Sequence, residues 1–138
     1  MVERDIPSSI LNAANRSVLE FIKRASAHSD ITEALTKAVK PLGDVQLFCP
    51  DVSQYRYLVV STKDILFGFA IGMDTIAFRL KPPFNARALA TGGSLIPELG
   101  DEWINFILFR NDWPTVDLTF WARKAYVYAR ETDGVREN

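Results

Sequence analysis

Residues Tyr55 to Leu80, YRYLVVSTKDILFGFAIGMDTIAFRL, hold three apolar runs separated by Ser61-Thr62-Lys63-Asp64 and by a Gly72-Met73-Asp74-Thr75 corner. Runs rich in β-branched and aromatic residues, bounded by turn formers, read as an antiparallel meander. In the middle run, Ile65 to Met73, strict alternation sets Phe67, Phe69, Ile71 and Met73 on one flank and Leu66, Gly68, Ala70 and Gly72 on the other. One flank is bulky and the other nearly bare. A bare strand face admits close approach by a helix, a second sheet, a ligand or another copy of the chain. Gly68, Ala70 and Gly72 are therefore candidate binding positions.

Working outward, Val45 to Cys49 is a strand ended by Pro50, and a loop from Asp51 to Gln54 leads into Tyr55 to Ser61. Lys63-Asp64 is a tight turn, and Asp74 opens the turn into Thr75 to Lys81, where Ile76, Phe78 and Leu80 share a side. Pro82-Pro83 ends this segment. Asn85 caps a short helix, Ala86 to Ala90, which stops at Gly92-Gly93. A compact loop, Ser94 to Gly100, precedes the last strand, Trp103 to Phe109. The sheet thus has about five strands.

Before the sheet, Ser8 or Ser9 caps an amphipathic helix running to about Ala27, with Ile10, Ala14, Val18, Phe21, Ile22 and Ala25 on its apolar stripe. The helix breaks near His28. Asp30 with Glu33 has the spacing of a capping box, opening a second helix from Ile31 to about Lys40. The pair forms a hairpin covering one sheet face. After the sheet, Thr115 caps a helix from Val116 to about Glu131, whose stripe of Leu118, Trp121, Ala125, Tyr128 and Ala129 is widened by Phe120 and Val127. That aromatic width exceeds what a thin surface helix needs. The order predicts one α+β domain over 1–138, a mostly antiparallel sheet with helices mainly on one face, a flexible arm at 1–7 and a solvated tail at 132–138.

Charged residues make up 24% and apolar ones 48%, with a formal net charge of -1. This composition is that of a globular domain and gives no global steer towards nucleic acid, whose phosphates need clustered Lys and Arg. The single cysteine, Cys49, excludes an internal disulfide and points to a cytoplasmic location. No apolar run approaches the roughly 20 residues of a membrane span, and the N-terminal residues lack an export pattern.

Chemistry-bearing constellations are sparse. One Cys and one His cannot build a zinc site, and no acidic run matches a calcium loop. Gly92-Gly93-Ser94 follows a helix and lacks the lysine of a phosphate-binding loop. A Cys49–His28 dyad has no supporting motif around it. Of the carboxylates, Glu98, Asp101, Glu102, Asp112 and Asp117 flank the last strand, where turn, cap and dipole duties account for them. No cofactor is expected.

The stretch from Gly100 to Glu131 concentrates the three Trp residues with Tyr and Phe, the composition shared by cores and interfaces. Trp113, in a polar turn before Pro114, is the first candidate contact residue. Arg79 and Arg110 sit in or beside apolar strands, so each faces solvent or pairs with an acid, Asp74 and Asp117 being the nearest candidates. The expected function is a non-enzymatic interaction module, self-associating or docking on a protein partner through the bare strand face or the Trp113 region. The alternative is a small-molecule-binding domain, extending to enzyme chemistry with carboxylates. Its pocket would lie between sheet and last helix, lined by Trp121, Tyr128 and an Arg–carboxylate pair. A third option is a subunit whose partner is a toxin or enzyme encoded beside it.

Overall fold

The computed structural model describes residues 2–3, 6–23, 25–27, 29–52, 55–107 and 117–132. Among these residues, helices α1 (Arg16–Ile22), α2 (Ser29–Val39), α3 (Phe84–Ala90) and α4 (Leu118–Thr132) accompany nine strands: β1 (Val2–Glu3), β2 (Gln46–Phe48), β3 (Asp51–Val52), β4 (Tyr55–Arg56), β5 (Leu58–Thr62), β6 (Ile65–Ile71), β7 (Thr75–Arg79), β8 (Ser94–Ile96) and β9 (Gly100–Ile107). Among the described residues the main sheet runs β1-β2-β5-β6-β7-β9-β8, antiparallel throughout except for β1 beside β2. The class is α+β with an antiparallel sheet, as the meander requires.

The sheet is wider than five strands. Ser94–Ile96, expected as loop, pairs with β9 as an edge strand, and Val2–Glu3, expected as a free arm, pairs with β2. Asp51–Val52 and Tyr55–Arg56 pair antiparallel as a separate two-stranded ribbon. Strands of two or three residues contain too few alternations to show a period of two. Lys63 and Asp64 both adopt left-handed backbone, φ 49° and 64°, which suits a two-residue hairpin turn between β5 and β6.

The expected bulky and bare flanks of β6 are overturned by a β-bulge. Val60 pairs with Gly68 but Ser61 pairs with Leu66, so Phe67 is an extra residue. One inserted residue shifts every later side chain to the opposite face. Phe67 and Ala70 therefore join Ile31, Leu35, Phe78, Phe106 and Trp121 in one buried cluster. Leu66 and Phe69 join Ile10, Val18, Ile22, Val59 and Trp103 in the other. Both faces of the sheet are covered by the chain itself.

α1 and α2 straddle the sheet rather than lying together as a hairpin: Val18 and Ile22 belong to the second cluster, Ile31 and Leu35 to the first. Their link crosses the end of the sheet at Gly72, whose N–H donates to the Ser26 carbonyl and which bridges to Ala27. Gly72 has φ +65°, a conformation open to glycine at little steric cost. The long first helix expected from Ser8 or Ser9 is also broken, into turns at Ser8–Ile10 and Ala13–Asn15 and then α1. Pro7, without a side-chain oxygen, occupies the first capping position. The Asn12 side chain accepts from Asn15 N–H and donates to the Ser9 and Asp64 carbonyls, offering the backbone bonds that compete with a helix.

Gly93 is needed for close packing. A Cβ there would lie 2.5 Å from Ile104 Cγ2 and 2.9 Å from the Ala88 carbonyl oxygen. Because backbone cannot give way as a flexible side chain can, Gly93→Ala is expected to lose about 2 kcal/mol. A urea midpoint lowered with the slope unchanged would show it; an unaltered midpoint would contradict the packing account.

Candidate functional site

α4 lies across the sheet between α2 on one flank and α3 on the other. Asp117 sets its start: Oδ1 accepts from Phe120 N–H at 3.0 Å, the bond of an N-cap residue. Beneath the helix, Trp121 stacks on Phe106 at 5.8 Å and 29°, and Tyr126 meets Phe67 edge-on at 5.9 Å. The space between sheet and α4, the expected pocket, is filled by these rings.

At the far end of the helix Arg79, Glu102 and Tyr128 converge. Glu102 accepts from Arg79 Nε at 3.3 Å and from the Tyr128 hydroxyl at 2.5 Å, and the guanidinium lies 4.9 Å from the centre of the Tyr128 ring. Burial first, then the hydroxyl's bond to Glu102, push the Tyr128 phenol above its ordinary range. It is thus a neutral donor in ordinary conditions. Arg79 pairs with Glu102, not with the expected Asp74, because the register of β7 on β9 sets Arg79 beside Trp103, next to Glu102. Asp74 instead accepts from the Thr75 hydroxyl. Lys81 pairs with Glu131, and on the opposite flank Tyr126 donates to the Gly43 carbonyl while Arg130 reaches Asp44 and Thr62. These contacts fasten the second half of α4 to the sheet.

The outer flank towards α3 differs. Lys124 Nζ lies 4.8 Å from the Phe84 ring centre and 5.4 Å from that of Phe120, and the Arg87 guanidinium lies 5.6 Å from Phe84. Two cations therefore approach one ring. Phe120 is 41% and Val127 44% exposed, so both lie outside the buried stripe that they were expected to widen. Phe120, Lys124 and Val127 recur at four- and three-residue steps, which places them on one outward face.

No protein-family model, no curated protein and no solved structure matches the chain.

Of the sequence candidates, Arg79 and Tyr128 are brought together, Asp117 begins the same helix and Trp121 lies in the core beneath it. Gly68 and Ala70 are buried; a Cβ on Gly68 would stand 3.0 Å from Val60 Cγ2 and from Phe78 Cδ1. Neither is open to a partner in this fold. Gly72 is exposed at the sheet end. Arg110 and Trp113, like His28 and Thr115, lie outside the described residues.

Other surface features are less concerted. A shallow groove of about 230 Å³ beside α1 is lined by Leu11, Asn12, Arg16, Leu19, Glu20 and Lys23, but Lys23 and Glu20 pair with each other. Edge strand β8 exposes Leu95, yet it is three residues long and followed by Pro97, features that blunt an edge against further pairing. Among the described residues no cluster of three metal-ligating side chains occurs, and no helix is long and apolar enough to cross a membrane.

Proposed function

We propose that the chain is a non-enzymatic protein-interaction module that docks a protein partner through the outer face of α3 and α4. The observation that supports it most is the exposure of Phe120 and Val127 on a helix whose opposite side is fully employed in the core. Exposed apolar side chains flanked by Arg and Lys have the make-up of contact surfaces, where aromatic and arginine side chains concentrate binding energy. The carboxylates nearby are engaged structurally: Glu102 by Arg79 and Tyr128, Asp117 by the cap, Glu131 by Lys81.

A photoreactive phenylalanine analogue placed at 120, or in place of Val127, tests this in cells that make the protein. Adducts of one mass are expected from both positions and none from the same analogue at Lys40, an exposed residue just past the end of α2. The captured protein, once purified, should bind the chain, and Phe120→Ala should weaken it by roughly 2 kcal/mol. An adduct of twice the chain's mass would identify the partner as a second copy. Equal labelling from position 40, or none from 120 and 127, would remove the surface.

A further inference from the structure

From the same surface, and resting on the interaction reading above, we infer that the partner's docking element is an acidic segment whose carboxylates enter between Arg87 and Lys124 while its apolar side chains cover Phe120 and Val127. Among the described residues, Lys23, Lys37, Arg79, Lys81 and Arg130 each hold a carboxylate. Arg16, Lys40, Lys63, Arg87, Arg123 and Lys124 form no ion pair there; the first three are scattered, while Arg87, Arg123 and Lys124 are grouped on α3 and α4. Of the charged residues of these two helices, Arg130 is turned to Asp44 on the opposite flank and Glu131 is paired with Lys81, which leaves Arg87, Arg123 and Lys124 with no acid of α3 or α4 to offset them. In a chain of formal charge -1 the surface is therefore locally positive.

Arg87 and Lys124 do more than share a face. Both approach the ring of half-buried Phe84, at 5.6 and 4.8 Å from its centre, so two like charges are gathered about one ring. A ring face attracts each cation modestly, but does not cancel their mutual repulsion. Incoming carboxylates would satisfy these cations and would be steered there by the field. Phe120 and Val127 then decide the kind of anion-bearing molecule. A phosphate backbone gains little from covering a phenyl and an isopropyl group, and it calls for more clustered cations than the three grouped here. A polypeptide carrying Glu or Asp next to Leu, Ile or Phe matches both features, in the manner of an amphipathic segment lying in a helical groove.

The test is an NMR titration of the isotope-labelled full chain with three probes: a short capped peptide in which glutamate pairs alternate with leucines, its charge-reversed twin with lysine for glutamate, and a single-stranded oligothymidylate of similar length. The acidic peptide is expected to shift amides within 84–90 and 120–127. Binding should weaken on the order of tenfold in the Arg87→Gln, Lys124→Gln double variant, with circular dichroism unchanged, and on raising the salt concentration. Shifts from the acidic peptide with none from its twin support the inference without any variant. The inference is overturned if both peptides bind alike, if the shifts fall along the groove from Leu11 to Lys23, if neither peptide binds at millimolar concentration, or if oligothymidylate binds in their place. Should the photoadduct form from position 120 while the acidic peptide leaves α3 and α4 unshifted, the docking surface stands and only its preference for acid falls.

Discussion

Phe67→Ala is expected to lower the stability of the fold by about 4 kcal/mol, within the usual range for deleting a fully buried phenyl ring. Phe67 has no exposed surface, packs edge-on against Tyr126 and belongs to the cluster beneath α2 and α4. Against a typical total of about 5–15 kcal/mol, that loss leaves a folded but easily melted protein. The more informative part of the experiment is where the damage appears. Phe69, two residues on, lies against Trp103 on the other side of the sheet, at 5.3 Å between ring centres. With fluorinated tryptophan in place of tryptophan, Phe67→Ala should move chiefly the resonance of Trp121, and Phe69→Ala chiefly that of Trp103. If both substitutions moved the same resonance, Phe67 and Phe69 would share a face and the bulge would be absent.

That comparison isolates what the amino-acid pattern can and cannot reveal. The meander was legible because Lys63-Asp64 and Gly72-Met73-Asp74 break apolar runs at strand length. The faces of β6 were not, because alternation assumes an uninterrupted ladder and the inserted Phe67 has no sequence mark of its own. The bare Gly68 position then has a local explanation: beside the bulge there is room for Val60 and Phe78 only if residue 68 lacks a side chain. Helix lengths at the N-terminus were misjudged for a different reason. Ile10, Val18 and Ile22 do face the core, but Asn12 and Asn15 divert the backbone between them.

The proposed surface lies partly in the stretch that composition singled out, on residues other than the sequence candidates. Arg79, Asp117, Trp121 and Tyr128 are contacts that position α4, as their bonds and stacking show. Phe84, Arg87 and Lys124 were passed over, since no local spacing joins a short helix after Pro82-Pro83 to a helix thirty-odd residues on. One signal did exist: an apolar stripe on α4 too wide for a single packed side left Phe120 and Val127 in excess.

Asn15→Ala is expected to lower stability by about 3 kcal/mol, more than its size suggests. Asn15 is 1% exposed and fully used: Nδ2 donates to the Ile10 and Asp64 carbonyls, each at 2.8 Å, and Oδ1 accepts from Leu66 N–H at 3.0 Å. One amide thus ties the N-terminal turns to the β5–β6 hairpin, beside two residues held in left-handed backbone. Alanine would leave the Leu66 N–H without a partner in a region closed to water, and would take one of two bonds from each of the Ile10 and Asp64 carbonyls, which keep only Asn12 as donor; a buried group costs more to abandon than to pair. It would also release the segment that carries Ile10, Val18 and Ile22 over the second cluster. The thermal midpoint should fall by roughly 10 °C, and hydrogen exchange at Leu66 should accelerate along with that of α1. Asn15→Asp, which keeps the acceptor for Leu66 but removes both donors, should recover only part of the loss. A fall of less than about 1 kcal/mol for alanine would mean that the covering segment is held by its apolar contacts alone, and that the amide is not what fixes α1 to this face of the sheet.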